Sequence, residues 1–190
     1  LSVRDLAWKE LYHHEGNVSL AADSVQQVTT VPLSLYRGGQ RLLFINLALH
    51  DQQGREVSHN VYWVPTTLTT FDWAGSNFTH TPADRYEDLQ ALAHLPPVQL
   101  ESHATRIADK RITEVTLHNP SSALAFQVHV AARTASGDLV APVLWSDNWV
   151  EIAPGATTIL SGALPPNPPA DLAIEVEGWN VAHNTLRAAE

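Results

Sequence analysis

Apolar and polar residues alternate in short stretches along most of the chain. In residues 43–50 every second side chain is apolar, which would place several on one face, namely Leu43, Ile45, Leu47 and Leu49. A similar alternation runs through residues 124–134. Because successive side chains of a β-strand point to opposite faces, a period of two indicates strands with one buried face. The pattern predicts an all-β protein.

Residues 1–64 are predicted to hold only the later strands of a β-sandwich. Strand-like runs fall at 2–7, 17–21, 26–33, 43–50 and 56–64, the last two as a hairpin. A seven-strand sandwich takes about 100 residues. Two missing strands would remove about eight inward-facing side chains, each of which contributes roughly 1.5–3 kcal/mol of stability when it is buried. The sum is large compared with the net stability of a typical domain, which is about 5–15 kcal/mol. We therefore expect the apolar face to be covered by an upstream segment, the second domain or another copy.

Residues 65–97 form a long aromatic connection, called the strap below. Its rings are those of Phe71, Trp73, Phe78 and Tyr86. Flexible linkers are rich in Gly, Ser and charge, and loops of this length are uncommon inside one compact domain. The strap is therefore predicted to join two domains and to dock through its rings. Thr81 as a cap and Pro82 at the first helical position predict one short helix that ends at Leu95.

Residues 98–190 are predicted to form an immunoglobulin-like β-sandwich. Strand-like segments follow one another at 98–107, 112–118, 124–134, 143–145, 149–152, 157–163, 172–177 and 180–186. Clusters of Asn, Pro, Ser and Gly mark turns between several of them. Six to eight strands within this length suit a sandwich of this class, which takes roughly 100 residues.

Composition narrows the range of functions. A formal net charge of −9 argues against nucleic acid as a partner, because nucleic acid selects basic surfaces. No apolar run approaches the roughly 20 residues of a membrane-spanning helix, so no membrane association is predicted. The absence of Cys leaves no disulfide framework and no thiolate site. Because the chain has no Met and starts at Leu1, we expect a fragment or a processed product.

Several sequence motifs together resemble one enzyme family. They are LALHDQQG at 47–54, SHNVYW at 58–63, FDW at 71–73, YEDL at 86–89, WSDNWVEIAPG at 145–155 and GWN at 178–180. These stretches are similar to the C-terminal region of glycoside hydrolase family 2, in its exo-β-D-glucosaminidase and β-mannosidase branch. The resemblance covers the end of the fourth domain and the whole of the fifth, immunoglobulin-like domain.

The resemblance implies a non-catalytic role for these residues. Retaining glycosidases need two carboxyl groups about 5–5.5 Å apart, and in this family both are glutamates of a (β/α)₈ barrel outside this chain. No residue here is therefore predicted to be catalytic, and the fragment is expected to be inactive. The implied parent hydrolyses terminal β-linked glucosamine or a related sugar, is secreted or periplasmic, and uses this region to support its barrel and upstream domains.

A carbohydrate-binding module for chitosan-like polymers is the alternative function. An acidic surface would attract such a cationic polymer. Trp73 and Trp149 are the candidate carbohydrate-binding residues, because flat aromatic faces pack well on sugar rings. The competing interpretation is that these rings fill cores, as large apolar side chains usually do.

No cofactor or metal is predicted. The run His13-His14-Glu15 contains ligand-type side chains, but adjacent strand residues point to opposite faces and no second ligand cluster lies at a useful spacing. Asp147, within the Ser-Asp-Asn motif, is predicted to accept hydrogen bonds from turn amides rather than to act in catalysis.

Overall fold

The all-β prediction is confirmed by the fold of the chain. The computed structural model describes residues 1–32, 34–35, 42–107 and 111–187. The chain divides into two compact units, Leu1–His94 and Leu95–Glu190, which we call unit 1 and unit 2. The predicted division into 1–64, 65–97 and 98–190 stays a prediction. Within the described ranges no helix is long and apolar enough to cross a membrane.

Unit 1 contains one four-stranded antiparallel sheet. Its strands are β1 (Ser2–Arg4), β2 (Glu10–His13), β3 (Leu42–His50) and β4 (Glu56–Pro65), in the order β2-β1-β3-β4. The predicted hairpin of the two long strands is confirmed, with Leu43 opposite Val64 and Leu47 opposite Asn60. Gly54 supplies the positive φ of 76° that the intervening turn requires.

Only one end of this sheet is buried. Val3, Leu42, Leu43 and Phe44 are fully buried. Farther along β3 and β4, side chains of the same sheet are open to solvent, with 37% of Leu47, 49% of Leu49 and 48% of Tyr62 exposed. The described part of residues 1–65 therefore forms one four-stranded sheet with a half-covered apolar face rather than a closed sandwich of seven strands.

Two of the predicted strands in this unit are wrong. The segment from residue 17 to residue 32 makes no β-ladder, and Leu33 lies outside the described residues. Its apolar side chains are exposed, namely Val18, Leu20, Val25 and Val28. β-Propensity reports how well a side chain fits a pleated, half-buried surface, so alternation alone does not make a strand without a partner. The short strand β2, in contrast, was not expected.

The predicted helix of the strap is also wrong. Instead, β5 (Thr70–Phe71) and β6 (Ala83–Arg85) pair as a hairpin, and only a 3-10 helix follows over Gln90–His94. The hairpin draws the start of the expected helix, Ala83–Arg85, into β-pairing, since tertiary context overrides weak helix propensity. The side chain of Asp88 then caps the short helix by accepting from the Gln90 amide at 3.1 Å.

Unit 2 is a sandwich of two four-stranded antiparallel sheets. Its strands are β7 (Glu101–Ile107), β8 (Ile112–His118), β9 (Ala125–Arg133), β10 (Leu144–Trp145), β11 (Val150–Ile152), β12 (Thr157–Ala163), β13 (Ala173–Glu177) and β14 (Asn184–Arg187). One sheet has the order β10-β12-β8-β7 and the other the order β11-β9-β13-β14. Every predicted segment of residues 98–190 contains or overlaps one of these strands, so the predicted sandwich is confirmed.

The core of unit 2 lies between these two sheets. The first sheet contributes Val115, Leu117 and Leu160, and the second contributes Val128, Val130 and Ile174, all at most 1% exposed. Because Val128 and Val130 point into this core, the residue between them, His129, points to the outer face of its sheet. That outer face, close to the β11 edge, carries the candidate site.

Candidate functional site

The loop between β10 and β11 is bound to β9 by an asparagine side chain. The amide of Val130 donates to Oδ1 of Asn148 at 2.9 Å, and Nδ2 of Asn148 donates to the Val130 carbonyl at 2.9 Å. The side chain thus continues the β9–β11 ladder by one residue. Asp147 accepts from the Asn148 amide at 2.7 Å, which is the turn role predicted for it.

Trp149 follows this asparagine in a left-handed backbone conformation. Its φ is 60°, and that of Gln127, on the neighbouring strand, is 52°. Such values are uncommon for residues other than glycine and persist where the surroundings impose them. Here the Gln127 side chain is tied by a hydrogen bond of 2.9 Å from Nε2 to Oε1 of Glu151, and Nε2 also lies 3.4 Å from the Trp149 carbonyl oxygen. The loop geometry therefore fixes where the Trp149 side chain points.

The indole of Trp149 stacks on the imidazole of His129. Their ring centroids are 4.4 Å apart and their planes differ by 9°. Only 16% of the His129 side chain is exposed, whereas 57% of Trp149 is exposed. One face of the indole is thus supported by the sheet and the other face is open to solvent.

A carboxylate completes the row on the far side of the imidazole. Glu177 lies opposite His129 in the β9–β13 register, and its Oε1 is 3.3 Å from Nδ1 of His129. Nδ1 is buried and forms no hydrogen bond of good geometry within the described part of the chain, so this is a close polar contact rather than an aligned hydrogen bond. Trp149, His129 and Glu177 therefore form a continuous row across β11, β9 and β13, and we call it the Trp149 shelf.

A shallow cleft of about 330 Å³ adjoins the shelf at His129. Its other lining residues include Ala131, Leu139, Pro142, Val143 and Trp145. The Trp145 ring lies directly on Gly162 of the paired strand, where an added Cβ would come within 2.6 Å of it. The cleft is thus mainly apolar, with a histidine at its boundary.

A second ionic group lies on the same outer face. Glu175 accepts a very short hydrogen bond from Nε of Arg133 and contacts Nε2 of His183 at 2.9 Å. The hydrogen bond from Arg133, followed by that from His183, lowers the pKa of Glu175 below its ordinary value, and burial opposes this only in part. This group links β9, β13 and the segment before β14. Its only carboxyl group is that of Glu175, so it is not the pair of carboxyl groups that glycoside hydrolysis needs.

The lowered pKa predicts an acid-dependent contribution to stability. The ionised form of Glu175 stabilises the fold above the ordinary pKa of 4.5, and this contribution is lost as the pH falls through the lowered pKa. Glu175→Gln should therefore lower the thermal unfolding midpoint at neutral pH, and the difference from the parent chain should shrink in acid. Glu101→Gln, at an exposed position of β7, is the control and should run parallel to the parent. A Glu175→Gln deficit of the same size in acid would contradict the assignment.

The structure places the two candidate tryptophans in different units. Trp73 lies on the strap hairpin of unit 1, 5.5 Å from the ring of Phe71, and is 72% exposed. Trp149 belongs to the shelf in unit 2. No local pattern indicated the His129 support, because His129 lies on β9 and Trp149 in the loop before β11, and the two meet only through the β9–β11 register. The bonding role of Asn148 was missed as well, although its place in the Ser-Asp-Asn motif was noted.

His13 lies between two glutamate side chains. Nδ1 of His13 lies 3.8 Å from Glu10, and Nε2 lies 3.8 Å from Glu15. Among the residues that the structure describes, no group of three His, Asp or Glu side chains could hold a metal ion.

Comparison with known proteins identifies the family. The model of the exo-β-D-glucosaminidase Ig-fold domain matches residues 78–181, more than half of the chain. The chain belongs to this family. The immunoglobulin-like character of the unit 2 sandwich follows directly, and the resemblance seen in the sequence is confirmed.

Relatives of this family are much longer than the present chain. An exo-β-D-glucosaminidase of Streptomyces avermitilis is 33% identical over 184 residues, which cover 90% of this chain and 20% of that protein. One of Arthroderma benhamiae is 36% identical over 139 residues, covering 73% of this chain and 15% of the relative. The crystal structure of the exo-chitosanase CsxA of Amycolatopsis orientalis matches 98% of this chain and 23% of its own, with a TM-score of 0.78 and 28% identity. The chain thus spans about a fifth of the length of these relatives.

Proposed function

We propose that this chain is the C-terminal, non-catalytic part of a longer exo-β-D-glucosaminidase and gives structural support to its catalytic barrel. The parent would hydrolyse terminal β-linked glucosamine, or a related sugar, by a retaining mechanism. Membership of the Ig-fold family and the share of the relatives that the chain spans support this proposal. Its partners would be the barrel and the upstream domains of the same parent.

The exposed aromatic surface of the strap is the main observation in favour of a supporting role. Its large apolar side chains are Leu68, Phe71, Trp73, Phe78 and Tyr86, with exposed fractions of 46% to 104%. Soluble proteins rarely leave extended apolar patches open, and such patches usually mark a contact with another protein surface. Since these rings are not buried in unit 1, a neighbouring domain of the parent is the surface that would cover them.

The half-covered sheet of unit 1 supports the same conclusion. Leu47, Leu49 and Tyr62 are between 37% and 49% exposed on strands that are otherwise regularly paired. Antiparallel sheets commonly bury one apolar face against a second layer. We expect upstream residues of the parent to supply that layer, which is one of the three covers that the strand count of residues 1–64 predicts.

Trp73→Ala tests the supporting role when it is made in both the parent enzyme and this chain alone. Because the indole is 72% exposed here, the substitution should leave the unfolding midpoint of the isolated chain unchanged. In the parent, where the strap would contact the barrel, it should lower the midpoint by several degrees. The measurement is thermal denaturation of both proteins, with turnover of p-nitrophenyl β-D-glucosaminide measured in parallel.

Leu144→Ala is the matched control, since Leu144 is an apolar side chain of unit 2, 74% exposed, and is not part of the strap. It should alter neither midpoint. An unchanged midpoint of Trp73→Ala in the parent would contradict docking of the strap. Turnover of the chromogenic substrate by the isolated chain would contradict its non-catalytic role.

A further inference from the structure

The Trp149 shelf has the properties of a binding platform rather than of core packing. Its indole is supported on one face by His129 at 4.4 Å and exposed over 57% of its surface. The supporting loop is held by the paired hydrogen bonds of Asn148 to Val130, so the ring is presented in one orientation. A ring that is ordered before binding loses little conformational entropy when a ligand stacks on it.

The open face of an indole favours a particular kind of ligand. Its π-face carries partial negative charge, and it attracts flat apolar surfaces whose hydrogens are polarised positively, as well as cations. A β-linked pyranose ring presents C–H bonds on its faces and hydroxyl groups around its edge. Such a ring can therefore cover the indole while its hydroxyl groups stay in water.

The charge beside the shelf narrows the choice further. Glu177 lies beyond His129, on the side away from the indole, and its side chain is 46% exposed, while Glu151 lies on β11, two residues after Trp149. Glu177 is therefore too far from the open face of the indole for direct pairing, and it acts on a ligand only through the surrounding electrostatic potential. The net charge of the chain, −9, acts in the same direction and favours a ligand that carries an ammonium group. An amino sugar has both a ring that can stack on the indole and a positive charge that the acidic surface attracts.

We propose that the Trp149 shelf binds a glucosamine unit of a β-linked glucosamine oligomer. The pyranose ring stacks on the open face of the Trp149 indole, and the net negative charge of the chain, −9, attracts its ammonium group at long range. The adjoining cleft of about 330 Å³ offers space for part of a neighbouring sugar unit. The choice of sugar rests on the proposed function of the parent, whereas the stacking rests only on the geometry of the shelf. Unit 2 would thus hold substrate polymer in addition to supporting the barrel.

The decisive experiment titrates this chain with a fully deacetylated glucosamine hexasaccharide. Binding is followed by calorimetry and by tryptophan fluorescence at low salt. Trp149→Ala should weaken binding at least tenfold, and Trp149→Tyr, which keeps an aromatic face, should retain most of it. Trp179→Ala is the matched control, because Trp179 is a 62% exposed tryptophan of the same unit outside the shelf, and it should bind like the parent chain.

A second comparison separates the ring contact from the long-range charge attraction. Binding of the deacetylated hexasaccharide should weaken as the salt concentration rises, because salt screens the attraction between separated charges. Binding of the N-acetylated hexasaccharide should not depend on salt, because that ligand has no ammonium group. Unfolding midpoints of all variants are measured first, so that a loss of binding is compared only between folded proteins.

Three outcomes would overturn the proposal. They are no saturable binding by the parent chain, Trp149→Ala binding within twofold of the parent chain, and Trp179→Ala losing as much affinity as Trp149→Ala. An equal salt dependence of binding for the deacetylated and the N-acetylated hexasaccharide would overturn the role of charge. These binding results are independent of the effect of Trp73→Ala on the stability of the parent enzyme. The supporting role and the binding role of the shelf are therefore tested separately.

Discussion

Asn119→Ala should lower the free energy of unfolding of unit 2 by about 3 kcal/mol, because each buried polar group left unpaired costs about 1–3 kcal/mol. Asn119 is completely buried. Its Nδ2 donates to the carbonyl oxygens of Ala123 at 2.8 Å and Ile152 at 2.9 Å, and its Oδ1 accepts from the Ser121 hydroxyl at 2.7 Å. Alanine would leave both carbonyls without this donor inside the sandwich. Calorimetric unfolding of the chain measures the loss.

Two further substitutions check the cause of that loss. Asn119→Asp keeps the size of the side chain but removes both donors and brings a carboxylate close to two carbonyl oxygens, so it should be at least as destabilising. Asn184→Ala removes only a side-chain hydrogen bond of 2.9 Å to Ser102 and should cost less than about 1 kcal/mol. If Asn119→Ala and Asn184→Ala lowered the free energy of unfolding by similar amounts, the buried hydrogen bonds of Asn119 would not be the cause of a larger loss.

Phe44→Ala should be the most damaging substitution in unit 1, with a loss of about 3–5 kcal/mol in the free energy of unfolding. Phe44 is fully buried, and its ring lies 5.7 Å from that of Trp8. Removing it would leave a cavity at the one end of the sheet that is covered. Calorimetric unfolding of the chain, or loss of hydrogen-exchange protection in β3, would report this.

Phe78→Ala is the matched control for that experiment. Its ring is fully exposed, with a relative exposure of 104%, so its removal should change the stability of this chain by no more than about 0.5 kcal/mol. If Phe44→Ala were as mild as Phe78→Ala, the buried end of β3 would not be a core that holds unit 1 together. The pair thus compares one residue type in two environments of the same unit.

Local alternation predicted the strands of unit 2 well. In β9 the inward side chains of Val128 and Val130 are buried as the pattern indicated, because the sandwich buries one face of each strand. The same reasoning failed for residues 17–32, where alternation is present but no neighbouring strand is paired with it. A strand needs a partner as well as a period, and the partner is not visible in a short window of sequence.

The strap shows a similar competition between local and tertiary preference. Thr81, Pro82 and the acidic residues after them suit the start of a helix, yet Ala83–Arg85 form β6. Pairing of Phe71 with Ala83 and of Thr70 with Arg85 decides the outcome. Helix propensity amounts to less than about 1 kcal/mol per residue for ordinary residues, so a few ladder contacts are enough to override it.

The amino-acid sequence by itself determined the all-β class, the strands of the C-terminal sandwich and the family, because each depends on local periodicity or on contiguous motifs. It also singled out Trp149 as a residue of interest. Only the tertiary structure decided that Trp149 rests on His129, that Glu177 lies beside them, and that Asn148 holds the loop. These contacts join strands that are 18 or more residues apart, through a register and a left-handed backbone turn that no local pattern specifies.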